Sequence, residues 1–242
     1  MVVVFNENTI FALFNNFKMS EKQNKQQSEL AVEFGKTGAF IQENKKSLLV
    51  IASTVLGLLV LFFAYQKFYL APRETEAADQ MFRAQEYWEQ KNWDKAINGD
   101  GNFPGFEKIV SEYDNTKSAN LAYYYLGIAY LNKGEYQRAA EALTKFSGSD
   151  AILVPEALGA TGDAYVELKN YDEAIVFYKK AISKGDNLFA APLFLKKLGL
   201  VYEAQNDFKS ALESYTKIKT DYPESAIANT IDMYIARAEE KL

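Results

Sequence analysis

Hydrophobic and polar positions follow two different regimes along this chain. From Ser47 to Gln66 no residue is charged, and Lys45, Lys46 and Lys67 bracket the run. Leu48 through Phe63 is apolar on every helical face, and such a helix must lie inside a core or inside lipid. The length matches the roughly 20 residues that cross about 30 Å of hydrocarbon. Its twelve Leu, Ile, Val and Phe residues, at about −0.3 to −0.6 kcal/mol each, favour insertion by at most roughly −4 to −7 kcal/mol. Ser53, Thr54 and Gly57 offset part of this. A buried core helix is the alternative, but nothing else in the sequence is large enough to surround it. A cleaved secretory signal would start nearer the terminus, run shorter and end in an Ala-x-Ala site. The pattern predicts one transmembrane helix over 47–66, preceded by a tail over 1–46 and followed by a linker over 67–76.

Beyond the linker, the apolar positions recur in columns. Gly127, Gly162 and Gly199 are each followed three residues later by Tyr130, Tyr165 and Tyr202. Then come Tyr136, Tyr171 and Phe208, next Ala139, Ala174 and Ala211, and finally Leu143, Tyr178 and Tyr215. Every column advances by 35 and then 37 residues. The physical reading is a repeated helix hairpin. Its first helix carries the Gly and its second the Ala, both small because the helices cross closely there. The Tyr and the large residue four after the Ala are expected to fill the groove between neighbouring hairpins. Lys133-Gly134-Glu135, Lys169-Asn170 and Gln205-Asn206-Asp207 supply the turns, with Gly or Asn where a left-handed residue ends the first helix. Asp172 and Asp207 suit the start of the second helix.

A divergent unit fits upstream, with Ala84 and Tyr87 in the first helix and Trp93 and Ala96 opening the second. Phe106, Ile109 and Tyr113 complete it if Asn98 to Gly105, which holds three Gly and a Pro, is an insertion that cannot be helical. Downstream, Ile227, Ile231, Tyr234, Ile235 and Ala238 form an apolar stripe opposite charges, as a helix closing an exposed solenoid end requires. The units run over about 77–117, 120–153, 155–188 and 192–225, with the closing helix over 226–242, all within a domain spanning 77–242.

The tail is Lys/Gln/Asn-rich from Ser20 to Ser28 and reads as solvated and unfolded. Leu30, Phe34 and Ile41 recur at near-helical spacing, which suits a juxtamembrane spacer or a short amphipathic helix on the inner leaflet. Residues 1–18 lack caps and helical period, so translation is expected to begin at Met19; an intact mass that includes them would refute this. Lys18, Lys22, Lys25, Lys36, Lys45 and Lys46 precede the span, while Lys67 and Arg73 follow it before Glu74, Glu76 and Asp79. The positive-inside rule then keeps the N-terminus cytoplasmic and carries the large domain across the membrane.

Composition narrows the chemistry. The net charge of −5 comes with no basic stripe to neutralise phosphates, so no nucleic acid is expected. Cysteine and histidine are both absent. That removes disulfides, thiolate nucleophiles, Cys-based zinc sites, the commonest general base and the commonest transition-metal ligand. No Ser or Lys nucleophile lies beside a recognisable base, and no glycine loop cradles phosphate. No catalytic residue, cofactor, metal or small-molecule substrate is expected. Asn98-Gly99-Asp100-Gly101-Asn102 resembles a calcium loop, but an EF-hand needs Gly where Phe103 stands and Glu where Ile109 stands. A protruding loop with Phe103 packed beneath it is the expectation.

The columns resemble the tetratricopeptide repeat, with Pro223 in the place that closes a unit. Lys145-Phe146 and Lys217-Ile218 replace a usual small residue, and Thr161 a usual Leu. The resemblance implies an all-α fold, a right-handed solenoid of hairpins after the N-terminal transmembrane helix, with a C-terminal capping helix. It also implies a protein-binding groove on the first helices, carried over by position to Tyr124, Ile128 and Asn132, to Gly159, Asp163 and Glu167, and to Lys196, Leu200 and Ala204. That set lacks the Lys/Asn clamp for a C-terminal carboxylate. The layout from Lys45 to Leu242 is similar to the bacterial single-pass tetratricopeptide proteins that accompany the SecYEG translocon (YfgM-like). This implies an inner-membrane protein with a periplasmic repeat domain, the translocon and periplasmic chaperones as partners, and a role in handing over exported chains. The alternatives are a scaffold of another envelope or division complex and a cytosol-facing import receptor.

Overall fold

The computed structural model describes residues 40–242, which are helix and turn apart from one isolated bridge between Gly99 and Pro104. The expected start at Met19 and most of the amphipathic stretch from Leu30 lie outside the described residues. The chain divides into two units, Met1–Tyr65 and Gln66–Leu242. In the first, α1 (Lys45–Tyr65) buries no residue and is long and apolar enough to cross a membrane. The Ser53 and Thr54 hydroxyls donate to the Val50 carbonyl at 2.9 and 2.8 Å, so these polar side chains are satisfied within the helix.

The second unit opens with a π-helical turn over Gln66–Leu70 and continues in α2 (Ala71–Glu89), α3 (Trp93–Asn98) and α4 (Phe106–Glu112). Three uninterrupted pairs follow: α5 (Lys117–Lys133) with α6 (Tyr136–Lys145), α7 (Leu153–Glu167) with α8 (Tyr171–Lys184), and α9 (Ala190–Ala204) with α10 (Phe208–Asp221). The unit ends with α11 (Asp232–Glu239). Among the described residues this is an all-α stack of hairpins.

One turn is used four times. Lys91, Gly134, Lys169 and Asn206 take positive φ at 57°, 78°, 58° and 61°. The next residue then donates its amide to the carbonyl of Tyr87, Tyr130, Tyr165 or Tyr202, at 2.8 to 2.9 Å. That residue is Asn92, Glu135, Asn170 or Asp207, and the three with Asn or Asp also cap the second helix through the side chain. The left-handed residue of the third hairpin is thus Lys169, with Asn170 as the cap; Asp172 is the second residue of the helix and lies in its first turn, where a carboxylate suits the helix dipole.

The crossings explain the small columns. A Cβ on Gly127 would lie 2.4 Å from Leu143 Cγ, one on Gly162 would lie 2.7 Å from Tyr178 Cε1, and one on Gly199 would lie 2.2 Å from Tyr215 Cε1. Ala139, Ala174 and Ala211 are wholly buried beside them. The large residue therefore packs first inside its own hairpin, against the glycine, rather than only between hairpins. Tyr178 also reaches the next hairpin, where its ring stacks on Phe194 at 6.5 Å.

Segment 98–105 splits the first unit's second helix into α3 and α4, as its glycines require. It folds on itself: Asp100 Oδ1 accepts the amides of Asn102 and Phe103 at 2.9 and 2.8 Å, and Asp100 Oδ2 accepts the Tyr87 hydroxyl at 2.7 Å. Phe103 is not packed under the loop; it is exposed, with the Arg83 guanidinium 5.3 Å from its ring centre. The expected linker over 67–76 is helical instead. Pro72 starts α2, Arg73 donates to the Glu112 carbonyl, and the Glu74 carboxylate accepts the amides of Lys117 and Ser118 at 2.6 and 3.0 Å. A carboxylate at the amino end of α5 is favoured by the helix dipole. The closing helix also starts later than 226: residues 226–231 are turns, with Ile231 wholly buried.

Two substitutions test these devices by thermal or denaturant unfolding. Gly199→Ala forces a methyl into the buried Tyr215 ring and is expected to cost about 1–3 kcal/mol. Lys169→Gly relieves a left-handed strain of roughly 1–2 kcal/mol, less the greater unfolded freedom of glycine, for an expected gain of up to about 1 kcal/mol.

Candidate protein-binding groove

Stacking the hairpins sets α5, α7 and α9 side by side, and a cavity of about 580 Å³ opens between them. Ile128, Leu131 and Asn132 line it from α5, Glu156, Ala160 and Asp163 from α7, and Leu193, Phe194 and Lys197 from α9. Its rim is built by a repeated local device. Asp150 Oδ1 accepts the amides of Ile152 and Leu153 at 2.9 and 2.8 Å, and Asn187 Oδ1 accepts those of Phe189 and Ala190 at 2.9 Å each. These Asx turns start α7 and α9 and leave Ile152 and Phe189 outside the helices, 73% and 87% exposed.

The polar groups around the cavity are mostly spoken for. Asp163 accepts the Tyr178 hydroxyl at 2.6 Å and the Lys197 ammonium at 2.7 Å. Glu156 takes the Tyr124 hydroxyl, and Asn132 donates to the Ile128 carbonyl at 2.8 Å. Burial, and then the facing carboxylate, pushes the Tyr124 and Tyr178 phenols far above their ordinary range, so both stay protonated donors. The cavity is mostly apolar, and of its lining carboxylates Glu156 has no ionic partner among the described residues.

The residues marked from sequence are partly brought together. Ile128, Asn132 and Asp163 line the cavity, and Glu167 lines a smaller one that shares Leu131 and Asp163. Tyr124 is only 5% exposed and belongs to the core with Leu143, Ala157 and Ala160. Lys196 and Leu200 lie on α9 beyond the cavity, the Lys196 ammonium 4.5 Å from the Tyr234 ring centre. Gly159 is buried beneath Phe194, whose Cε1 would stand 2.0 Å from an added Cβ. The rim residues Ile152, Phe189 and Leu193 were not marked. Ile152 and Phe189 lie in the connections, where the available signal was Asp150 and Asn187 two residues before each, and Leu193 lies in the first turn of α9.

Tetratricopeptide-repeat family models match residues 108–152, 124–188 and 197–225, the last by a second model of the same description. Residues 108–188 and 197–225 carry tetratricopeptide repeats. The fold is similar to that of the Podosopora anserina putative kinesin light chain nearly identical TPR-like repeats, at 17% identity over 69% of this chain and 87% of that one, with a TM-score of 0.53. It is also similar to MamA protein, at 21% identity over 68% of this chain and 91% of that one, with a TM-score of 0.51. No curated protein matches the sequence. The repeat matches begin at residue 108, whereas the hairpin of α2 to α4 uses the same left-handed turn upstream. Tetratricopeptide domains bind other proteins, and the groove on their first helices is where this chain presents its open apolar surface.

The rim gives a pH-dependent prediction. The two amides hold the Asp150 carboxyl below its ordinary 3.8. The stability this lends is full above that value and is lost as pH falls through the lower folded-state value. Asp150→Asn keeps the acceptor oxygen but cannot titrate. The variant is expected to show a shallower fall in melting temperature below about pH 4 than the parent; equal slopes would remove Asp150 from the account.

Proposed function

We propose that this protein is a membrane-anchored scaffold whose repeat groove holds segments of other proteins, working as an accessory of the SecYEG translocon in the handover of exported chains. The observation that carries the scaffold reading is the cavity between α5, α7 and α9, rimmed by exposed Ile152, Phe189 and Leu193 and placed on the same chain as α1. The membrane anchor is supported by a helix of spanning length whose polar side chains are satisfied internally. The excess of lysines before α1 supports a cytoplasmic N-terminus and a periplasmic repeat domain in the bacterial inner membrane. The translocon reading is supported by the likeness of layout, one span followed directly by repeats. No catalytic step is proposed.

Two measurements test these parts separately. A reporter enzyme that works only in the periplasm, fused after Leu242, is expected to be active; activity of a cytoplasm-dependent reporter alone would reverse the orientation. Purification of the full chain in mild detergent is expected to bring down translocon subunits. An eluate holding another envelope or division complex in their place would discard the translocon role.

A further inference from the structure

The groove has two sides of different character. At the start of α9, Phe189 just before the helix and Leu193 in its first turn are exposed apolar residues that line the cavity. Across from them, α7 presents Glu156 and Asp163 to the cavity, and Glu167, one turn further along the same row, lines the smaller cavity that adjoins it. Lys197 neutralises Asp163, while Lys196 is turned to the Tyr234 ring. α5 contributes Ile128, Leu131 and Asn132, none of them charged. Glu156 takes only a phenol hydroxyl, and among the described residues Glu167 has no ionic partner. The groove is therefore apolar at its α9 rim, while α7 carries two carboxylates without ionic partners among the described residues, Glu156 in the cavity and Glu167 in the adjoining one.

We infer that the occupant is a protein segment with large apolar side chains set beside lysine or arginine, so that its apolar face lies on α9 and its basic residues meet α7. This rests on the scaffold reading of the groove and adds the chemistry of what fills it. An acidic segment would set like charges together without water between them, and a wholly apolar one would leave the α7 carboxylates facing a low-dielectric partner, which is costly.

The test uses the full chain in nanodiscs of zwitterionic lipid and three fluorescein-labelled peptides. One alternates Leu/Phe with Lys, one has each Lys replaced by Glu, and one has each Leu/Phe replaced by Ser. Fluorescence anisotropy is expected to show binding of the Lys peptide that weakens as salt is raised, with the other two at least about tenfold weaker. Phe189→Ser, at a position too exposed to matter for folding, is expected to remove most of the binding. Glu156→Gln and Glu167→Gln each weaken the Lys peptide about two- to fivefold, and Glu213→Gln, in a separate cavity lined from α8, α9 and α10, leaves it unchanged. Equal or tighter binding of the Glu peptide, or binding of the Lys peptide that ignores Glu167→Gln and Phe189→Ser, would overturn the inference. So would no binding of any peptide. If translocon subunits still co-purify in those cases, only the occupant is wrong and the scaffold stands.

Discussion

Each hairpin depends on the absence of a side chain at one point. Gly127, Gly162 and Gly199 let Leu143, Tyr178 and Tyr215 lie directly on the first helix, at separations a methyl group could not tolerate. That approach fixes where the second helix crosses the first, and so fixes which faces of the pair remain apolar and uncovered. A pair with such faces cannot bury them alone and must stack on the next. The stack in turn brings α5, α7 and α9 together and creates the groove. The groove in this protein is a consequence of packing at three glycines.

The stack is held in register by a second recurring interaction, a tyrosine hydroxyl on a carboxylate. Tyr130 donates to Glu107 of the preceding hairpin, Tyr124 to Glu156 of the following one, and Tyr222 to Asp186. Tyr178 and Tyr215 donate to Asp163 and Glu203 within their own hairpins, and those carboxylates then take Lys197 and Arg237 from the next element. A buried phenol left without a partner costs about 1–3 kcal/mol, so each bond discourages slippage more than it adds attraction. Asp163 shows the overlap between architecture and site: it lines the cavity, yet both its oxygens are already engaged in holding α7 to α8 and α9.

Much of this was legible in the sequence because a solenoid is nearly one-dimensional. The Gly, Tyr and Ala columns specify hairpins locally, and a glycine-rich insertion can only interrupt a helix. The capping turn was readable at Gly134 and Asn206, but not at Lys169, where the Asn170 amide bonded back to the Tyr165 carbonyl holds a residue reluctant to take positive φ. Residues 67–76, expected to be a linker, hold Arg73 and Glu74. Their partners, the Glu112 carbonyl and the amides that open α5, lie about forty residues away and leave no local trace. The groove was legible by helix but not by surface. Offsets from a glycine identify a face, whereas Tyr124 and Gly159 are buried because Leu143 and Phe194 come over them from other helices. The exposed rim arises from connections, and its apolar side chains look like core until the Asx turns place them outside.

The central claim is that partners are held on the face formed by the first helices, and a photo-crosslinking amino acid tests it in the living cell. Placed at Phe189 it is expected to give a discrete protein adduct that Leu193→Ser removes, while the same group at Lys217, in the cavity lined from α8, α9 and α10, gives none. Adducts from Lys217 with none from Phe189 would put the working surface on the other side of the stack and contradict the account.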